Sequence, residues 1–306
     1  MATRAGYVAL IGLPNVGKSS LLNAFIGERL SIVTPRAQTT RERVLGIYTS
    51  DGAQMIFVDT PGLLEPRYLL HHSMLEAARA ALSDADLVVL LLDATAAEPP
   101  SLPADVLGAL RSRRGRAFVA INKIDAAAPG GIEALRAWAR SELDLDAFEI
   151  SALTGEGVDE LRAALIGALP VSRFFYPEDD LAVQPVRFFV AELIRETIFE
   201  AYREEIPYST AVAIEEFRES EDPIYIRAVI HVERDSQKAI LIGKEGAAIR
   251  ELGKNARAKV EAFVGARVYL DLWVKTLPRW RRNRAALERL GYPVPPEAKR
   301  RPGRKR

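Results

Sequence analysis

The chain has 306 residues, enough for about two domains, and its 42 basic and 41 acidic side chains nearly cancel, so mean charge points to no class of partner. It has no cysteine and only three histidines, which excludes disulfide scaffolds, thiolate metal sites, iron–sulfur clusters and cysteine nucleophiles and disfavours a histidine-rich metal site. A hydrophobic content of 48% is enough for packed cores, and the longest aliphatic run, 87–92, is too short to span a bilayer. The opening MATRAGYVALIG does not read as a signal peptide, so the expectation is a cytoplasmic, soluble protein.

In chain order, 7–11 is a short apolar run that ends in a glycine-rich turn, and a helical pattern follows over 19–26. A second apolar run covers 54–58, a helix 75–82, and a strand of the doubly buried kind 87–92. Helix 106–113, strand 117–121, helix 132–143, strand 147–150 and helix 158–169 continue the alternation. Strands alternating with helices predict βαβ units and a mostly parallel sheet, whose ligands bind at the carboxyl ends of strands. The pattern breaks at 171–185, where prolines and an acidic cluster read as a linker between a domain at 1–170 and another at 186–277. The second domain reads as helix 186–204, strands 209–217 and 224–233, a short apolar helix, a long helix 246–263 and a strand 267–274.

Charge is uneven along this plan. The last 36 residues carry 12 basic and three acidic side chains, together with Trp273, Trp280 and Tyr292. Basic residues mixed with aromatics point to a polyanion, most often nucleic acid. The segment 278–306 is therefore read as a basic extension whose end is flexible.

Gly12-Leu13-Pro14-Asn15-Val16-Gly17-Lys18-Ser19 fits G-x-x-x-x-G-K-[ST] between a strand and a helix. Such a loop turns its N–H groups, from Asn15 to Ser20, toward a phosphate chain at a helix N-terminus. Lys18 would reach the β- and γ-phosphates, and the Ser19 hydroxyl suits Mg²⁺, a hard cation that prefers oxygen. Asp59-Thr60-Pro61-Gly62 follows the next apolar strand, where Asp59 can hold Mg²⁺ and the Gly62 amide can sense the γ-phosphate. Asn122-Lys123-Ile124-Asp125 follows a third strand. The Asp125 carboxylate can accept two parallel hydrogen bonds, which guanine offers through N1–H and its 2-amino group and adenine does not. Asn122 and Lys123 would brace that loop and cover the ring. Ser151-Ala152-Leu153 follows a fourth strand, with the Ala152 N–H placed for the guanine O6.

Taken in order, GLPNVGKS, DTPG, NKID and SAL resemble the motifs of translation-factor-like GTPases, over roughly the first 170 residues. The resemblance implies a P-loop α/β fold, GTP and GDP as ligands, and switch I at Pro35–Arg41 with Thr40, or Thr39 beside it, on Mg²⁺. Ras-like enzymes place a water-orienting glutamine after the DxxG glycine, where this chain has Leu63, so slow intrinsic hydrolysis is expected. Arg36, Arg41 and Arg67 lie nearby, and none can be assigned as an arginine finger. In the hydrophobically substituted GTPases that this chain resembles, an asparagine at the Asn15 position helps bind K⁺, which supplies that charge. The set implied for catalysis is thus Lys18, Thr40, Gly62 and Asn15.

In the second domain, Ile242-Gly243-Lys244-Glu245-Gly246 carries GxxG between two helices. The order αββααβ resembles the type II KH domain, an α+β fold whose GxxG loop clamps a single-stranded backbone. The same loop could serve as a simple helix–helix turn. A GTPase domain joined to a type II KH domain resembles the Era family of bacterial GTPases over nearly the whole chain. That resemblance implies binding to the 3′ end of 16S rRNA, a role in assembly of the 30S subunit, and weak peripheral membrane association in some settings. It places RNA at Ile242–Gly246 and at Lys275, Arg279, Trp280, Arg281 and Arg282. Two functions stay open: a GTP-hydrolysing switch that gates RNA binding, and an RNA-binding scaffold that nucleotide merely stabilises. His71 and His72 are expected to be exposed switch residues, and Asp93 a cap for the segment after its strand.

Overall fold

The computed structural model describes all residues except 1, 35, 37, 114 and 295–306, so the end of the basic extension and two switch I positions lie outside the described residues. The apolar runs of the first half become strands, buried on both faces except at the two edges of the sheet, with helices between them: β1 (Arg4–Ile11), then α1 (Lys18–Ile26), β2 (Val44–Ser50), β3 (Ala53–Asp59), α2 (Leu69–Asp84), β4 (Leu87–Asp93), α3 (Ala104–Arg111), β5 (Ala117–Asn122), α4 (Gly131–Leu143), β6 (Ala147–Glu149) and α5 (Val158–Ala168). They form one sheet in the order β2-β3-β1-β4-β5-β6, parallel except for β2 against β3. One apolar core lies under α2, α3 and α4, the other under α1 and α5. This is the P-loop α/β fold.

Strand β2 is absent from the sequence reading because Gly46 interrupts its apolar pattern. The glycine is there for packing: a Cβ at Gly46 would stand 2.7 Å from Leu22 Cδ1 on α1. Small shifts at other ends have local causes. The strand expected from 209 starts at Ala211, because the preceding residues coil into α7 (Ile206–Ser209), with Pro207 near its start.

The stretch 171–185 is laid against the first sheet, from the start of β1 to the edge strand β2. Val171 bridges to Arg4 and Ala182 to Gly46. Gln54, fully buried, accepts from the Phe175 and Tyr176 N–H groups at 2.8 and 3.1 Å and donates to the Tyr176 carbonyl at 2.9 Å. Beyond it come α6 (Val186–Ala201), α7, β7 (Ala211–Arg218), β8 (Ile224–Val232), α8 (Asp235–Ile242), α9 (Ala247–Val264), β9 (Val268–Thr276) and α10 (Arg284–Arg289). In the second sheet β8 is central, antiparallel to β7 and parallel to β9. This is the KH arrangement, with GKEG between α8 and α9. No described helix is long and apolar enough to cross a membrane.

Replacing Gln54 with leucine should cost about 1–3 kcal/mol, because the Phe175 and Tyr176 amides lose a buried acceptor. Urea unfolding checks the energy, and limited proteolysis should show faster cleavage within 171–185.

Candidate functional site

The sheet delivers four loops to one edge. β1 leads into the phosphate loop, β3 into DTPG, β5 into NKID and β6 into the Ser151 loop. The first three of these loops, with switch I, line a cavity of about 420 Å³ that includes Asn15, Gly17, Lys18, Ser19, Ser20, Thr40, Gly62 and Lys123; the Ser151 loop does not reach its lining. Two glycines are required by close approach. Gly17 has φ +97°, and a Cβ there would lie 2.1 Å from Asn122 Nδ2. At Gly62 a Cβ would lie 2.7 Å from the Pro14 nitrogen, which brings the DTPG turn against the phosphate loop. The Lys18 ammonium donates to the Leu13 carbonyl at 2.9 Å and to Gly12 at 3.3 Å. Burial pulls its pKa down to about 8, against the opposing attraction of Asp59.

Three oxygens converge as a hard-cation donor set. Ser19 Oγ lies 2.9 Å from Thr40 Oγ1 and 2.7 Å from Asp59 Oδ2, and Thr40 Oγ1 is 3.3 Å from the same carboxylate oxygen. Asp59 is fully buried, which raises its pKa although Ser19 and Lys18 oppose this, and its Oδ1 has no hydrogen-bond partner among the described residues. Two hydroxyls and one carboxylate suit Mg²⁺. Of the two switch I threonines, Thr40 brings its hydroxyl into this set.

On the base side Asn122 works as a brace. Its Nδ2 donates to the Val16 carbonyl at 2.8 Å, and its Oδ1 accepts from the Ala152 N–H at 2.9 Å. The Ala152 amide, expected to face the guanine O6, is therefore engaged by Asn122. Lys123 adopts φ 67° and pairs with Asp93 at 2.5 Å. Asp93 also caps the following turn, accepting from the Thr95 N–H at 2.9 Å. Ser151 is buried and accepts from the Thr154 N–H at 3.1 Å, while Leu153, 85% exposed, and Asp125 face solvent; none of the three lines the cavity.

The second site follows the GKEG turn. Gly243 has φ 72° and Glu245 φ 51°, and Lys244 and Glu245 are exposed at the start of α9. A groove of about 350 Å³ continues between α9 and β9, lined by Ile249, Arg250, Gly253, Lys254, Arg257 and Tyr269, among others. Arg250, Lys254 and Arg257 were missed from sequence, although their i, i+4, i+7 spacing on a helix marks one face. Of the expected basic contacts, Arg279 and Arg282 are exposed and Lys275 pairs with Glu215 at 2.9 Å. Arg281 pairs with Glu233 and lies 4.9 Å over the Tyr68 ring. Trp280 is a correction: it is fully buried, stacks on Tyr292 and donates Nε1–H to the Ser209 carbonyl at 2.8 Å, so its ring has no face left for a base.

Residues 7–123 match the family model described as a 50S ribosome-binding GTPase, and residues 205–281 match the KH domain. GTPase Era of Geobacter metallireducens is 40% identical over 292 residues, covering 94% of this chain and 98% of that protein. The chain belongs to the Era family of GTPases. GTPase Era of Thermotoga maritima is 44% identical, covering 92% of this chain and 94% of that protein. A solved structure of Era in complex with MgGDPNP and nucleotides 1506–1542 of 16S ribosomal RNA matches 95% of this chain and all of that one, at 38% identity and a TM-score of 0.89.

In this Era-family chain the switch regions also meet the C-terminal module. Arg41, 5% exposed, donates to the carbonyls of Thr210, Pro207 and Tyr208 at 2.5, 3.0 and 3.1 Å, and Arg36 donates to the Tyr202 carbonyl. Both guanidinium groups are thus engaged by the C-terminal module. His71, expected to be exposed, is buried: the turn of α2 that carries it packs Leu70 and Met74 against Trp280, Leu287 and Tyr292. His71 Nε2 meets Gln38 Oε1 of switch I at 3.2 Å, and its ring lies 3.8 Å from that of Tyr68. Only His72 is exposed.

Burial, and then the charges of Arg281, Arg41, Arg67 and His72, push the His71 pKa down to about 4 from 6.5. Between those values the unfolded chain binds the proton more readily, so stability should fall as pH drops through that window. His71→Gln should flatten the change in melting temperature between about pH 7 and about pH 4.5.

Proposed function

We propose that this protein is a GTPase switch that binds the 3′ end of 16S rRNA in its KH groove and acts in biogenesis of the 30S subunit, with RNA binding coupled to the nucleotide state. The observation that carries this is that one chain builds both sites, along the length over which it matches an Era structure holding both MgGDPNP and 16S RNA. We place its action in the cytoplasm, with its ribosomal partner. Nothing among the described residues adds to the membrane association implied by the resemblance.

In this reading Lys18 leaves the Leu13 and Gly12 carbonyls for the phosphates. Ser19, Thr40 and Asp59 hold Mg²⁺, which supplies charge neutralisation at the β- and γ-phosphates when bound. Gly62, held against Pro14, follows the γ-phosphate, and Asp125 selects guanine. Leu63, 4% exposed, cannot orient water, so acceleration comes from outside the side chains of the DTPG turn. K⁺ held by Asn15 is the reading we favour for that charge. The RNA backbone runs over Lys244 and Glu245, then along Arg250, Lys254 and Arg257, with Arg279 and Arg282 on the flank. The apolar Leu63 also favours a second reading, an RNA-binding scaffold with a structural nucleotide. Lasting absence of turnover with K⁺ and cognate RNA would select it.

The test is titration of a labelled strand matching the 3′ end of 16S rRNA, with protein loaded first with a non-hydrolysable GTP analogue and then with GDP, in K⁺ buffer. Tighter, sequence-dependent binding in the analogue form is expected, and equal affinity in both forms would remove the coupling. Changing both loop residues, Lys244→Asp with Glu245→Asp, should weaken RNA binding about ten-fold and leave GTP binding intact. Asp125→Asn should lower the preference for GTP over ATP by about ten-fold or more, read by competition binding.

A further inference from the structure

We infer that Arg195, on the first helix of the C-terminal module, is a positioning residue of the GTPase site, so that the site for Mg·GTP is complete only when that module is docked. The inference rests on the GTPase reading above and deepens it.

Thr40 brings its hydroxyl to Ser19 and Asp59, but both of its chain neighbours are held from the other side. The Thr39 carbonyl accepts from Arg195 Nη2. Arg41 sits among the carbonyls of Pro207, Tyr208 and Thr210, 5.7 Å from the centre of the Trp280 ring. Arg195 itself is fixed. It is 1% exposed, donates Nε–H and Nη2–H to Glu192 at 2.8 and 2.5 Å, and lies 5.5 Å from the Phe199 ring centre. Burial pulls its pKa down, but the Glu192 carboxylate outweighs this, so it stays charged. A charged donor on a carbonyl is stronger than a neutral one, and the carbonyl it holds belongs to the residue just before Thr40.

The effect is one of population. Switch segments of this kind are ordered by γ-phosphate and Mg²⁺ and released on hydrolysis. A ligand's apparent affinity falls with the fraction of molecules in the competent form. Arg195 raises that fraction by holding 39–41 in place before nucleotide arrives. GDP has no γ-phosphate and draws little on Thr40, so the effect must be selective for the triphosphate.

The experiment compares full-length protein with Arg195→Ala, measuring affinity for a non-hydrolysable GTP analogue and for GDP across a Mg²⁺ titration. Arg195→Ala should weaken the analogue about ten-fold and raise the Mg²⁺ needed for half-saturation, while GDP affinity changes little. Glu192→Gln keeps the guanidinium but loosens its alignment, and should shift the analogue in the same direction by a smaller factor. It carries the test by the same criterion if Arg195→Ala does not fold. Equal loss of analogue and GDP, or no change in either, would overturn the inference. Failure of the GTPase reading is a separate result, seen as no specific GTP binding by the unaltered protein.

Discussion

Two buried arginines cross the boundary between the two sheets in opposite directions, and the arrangement of the molecule depends on them. Arg41 leaves switch I and enters the carbonyl turn at Pro207–Thr210, while Arg195 leaves α6 and reaches back to Thr39. A buried guanidinium must be held by hydrogen bonds, and of the two only Arg195 also has a carboxylate beside it, Glu192, with its Nη1 left without a partner among the described residues. Arg41 finds all three of its carbonyl acceptors in the second module, and Arg195 adds the Thr39 carbonyl of the first to Glu192 on its own helix, so docking and switch geometry become one constraint. A third buried charge also bridges the modules: Glu196, 1% exposed, is neutralised by Arg29 from the first module and Lys259 from the second.

Around these charges lies an apolar seam. Leu70 and Met74 of α2 pack against Ala211, Trp280, Ala286, Leu287 and Tyr292. The helix that follows DTPG is thereby tied to the segment that follows β9, and Tyr68 at its start lies between the His71 ring and the Arg281 guanidinium. Both elements expected to respond to a γ-phosphate thus touch the module that carries the GKEG loop. A displacement of either one changes contacts in the other module directly, with no long relay.

The nucleotide cavity obeys a different logic. Its shape comes from backbone approaches that admit no side chain, at Gly17 against Asn122 and at Gly62 against Pro14. Asn122 then links the phosphate loop to the Ser151 loop through Val16 and Ala152. Phosphate and base ends are therefore rigidly related, while Thr40 arrives on a segment whose position depends on the other module.

Much of this was legible in the residues themselves. Doubly buried strands announce themselves as continuous apolar runs, and phosphate, metal and guanine motifs need fixed residue types at fixed spacing, because each is a local backbone device at a strand end. The αββααβ order and the GxxG turn were readable for the same reason. What sequence could not give depends on contacts between distant segments. β2 was hidden because Gly46 answers to Leu22 on another element. Trp280 read as an RNA contact because an aromatic among arginines looks the same whether it faces solvent or packs against Ser209 and Tyr292. His71 read as exposed because nothing near it in sequence records the residues beyond 276 that cover its helix. Arg41 and Arg195 were ordinary charges until folding placed each beside carbonyls more than 150 residues away. Local chemistry fixes which groups can act on nucleotide. The packing of one module on the other decides which of them are held in place.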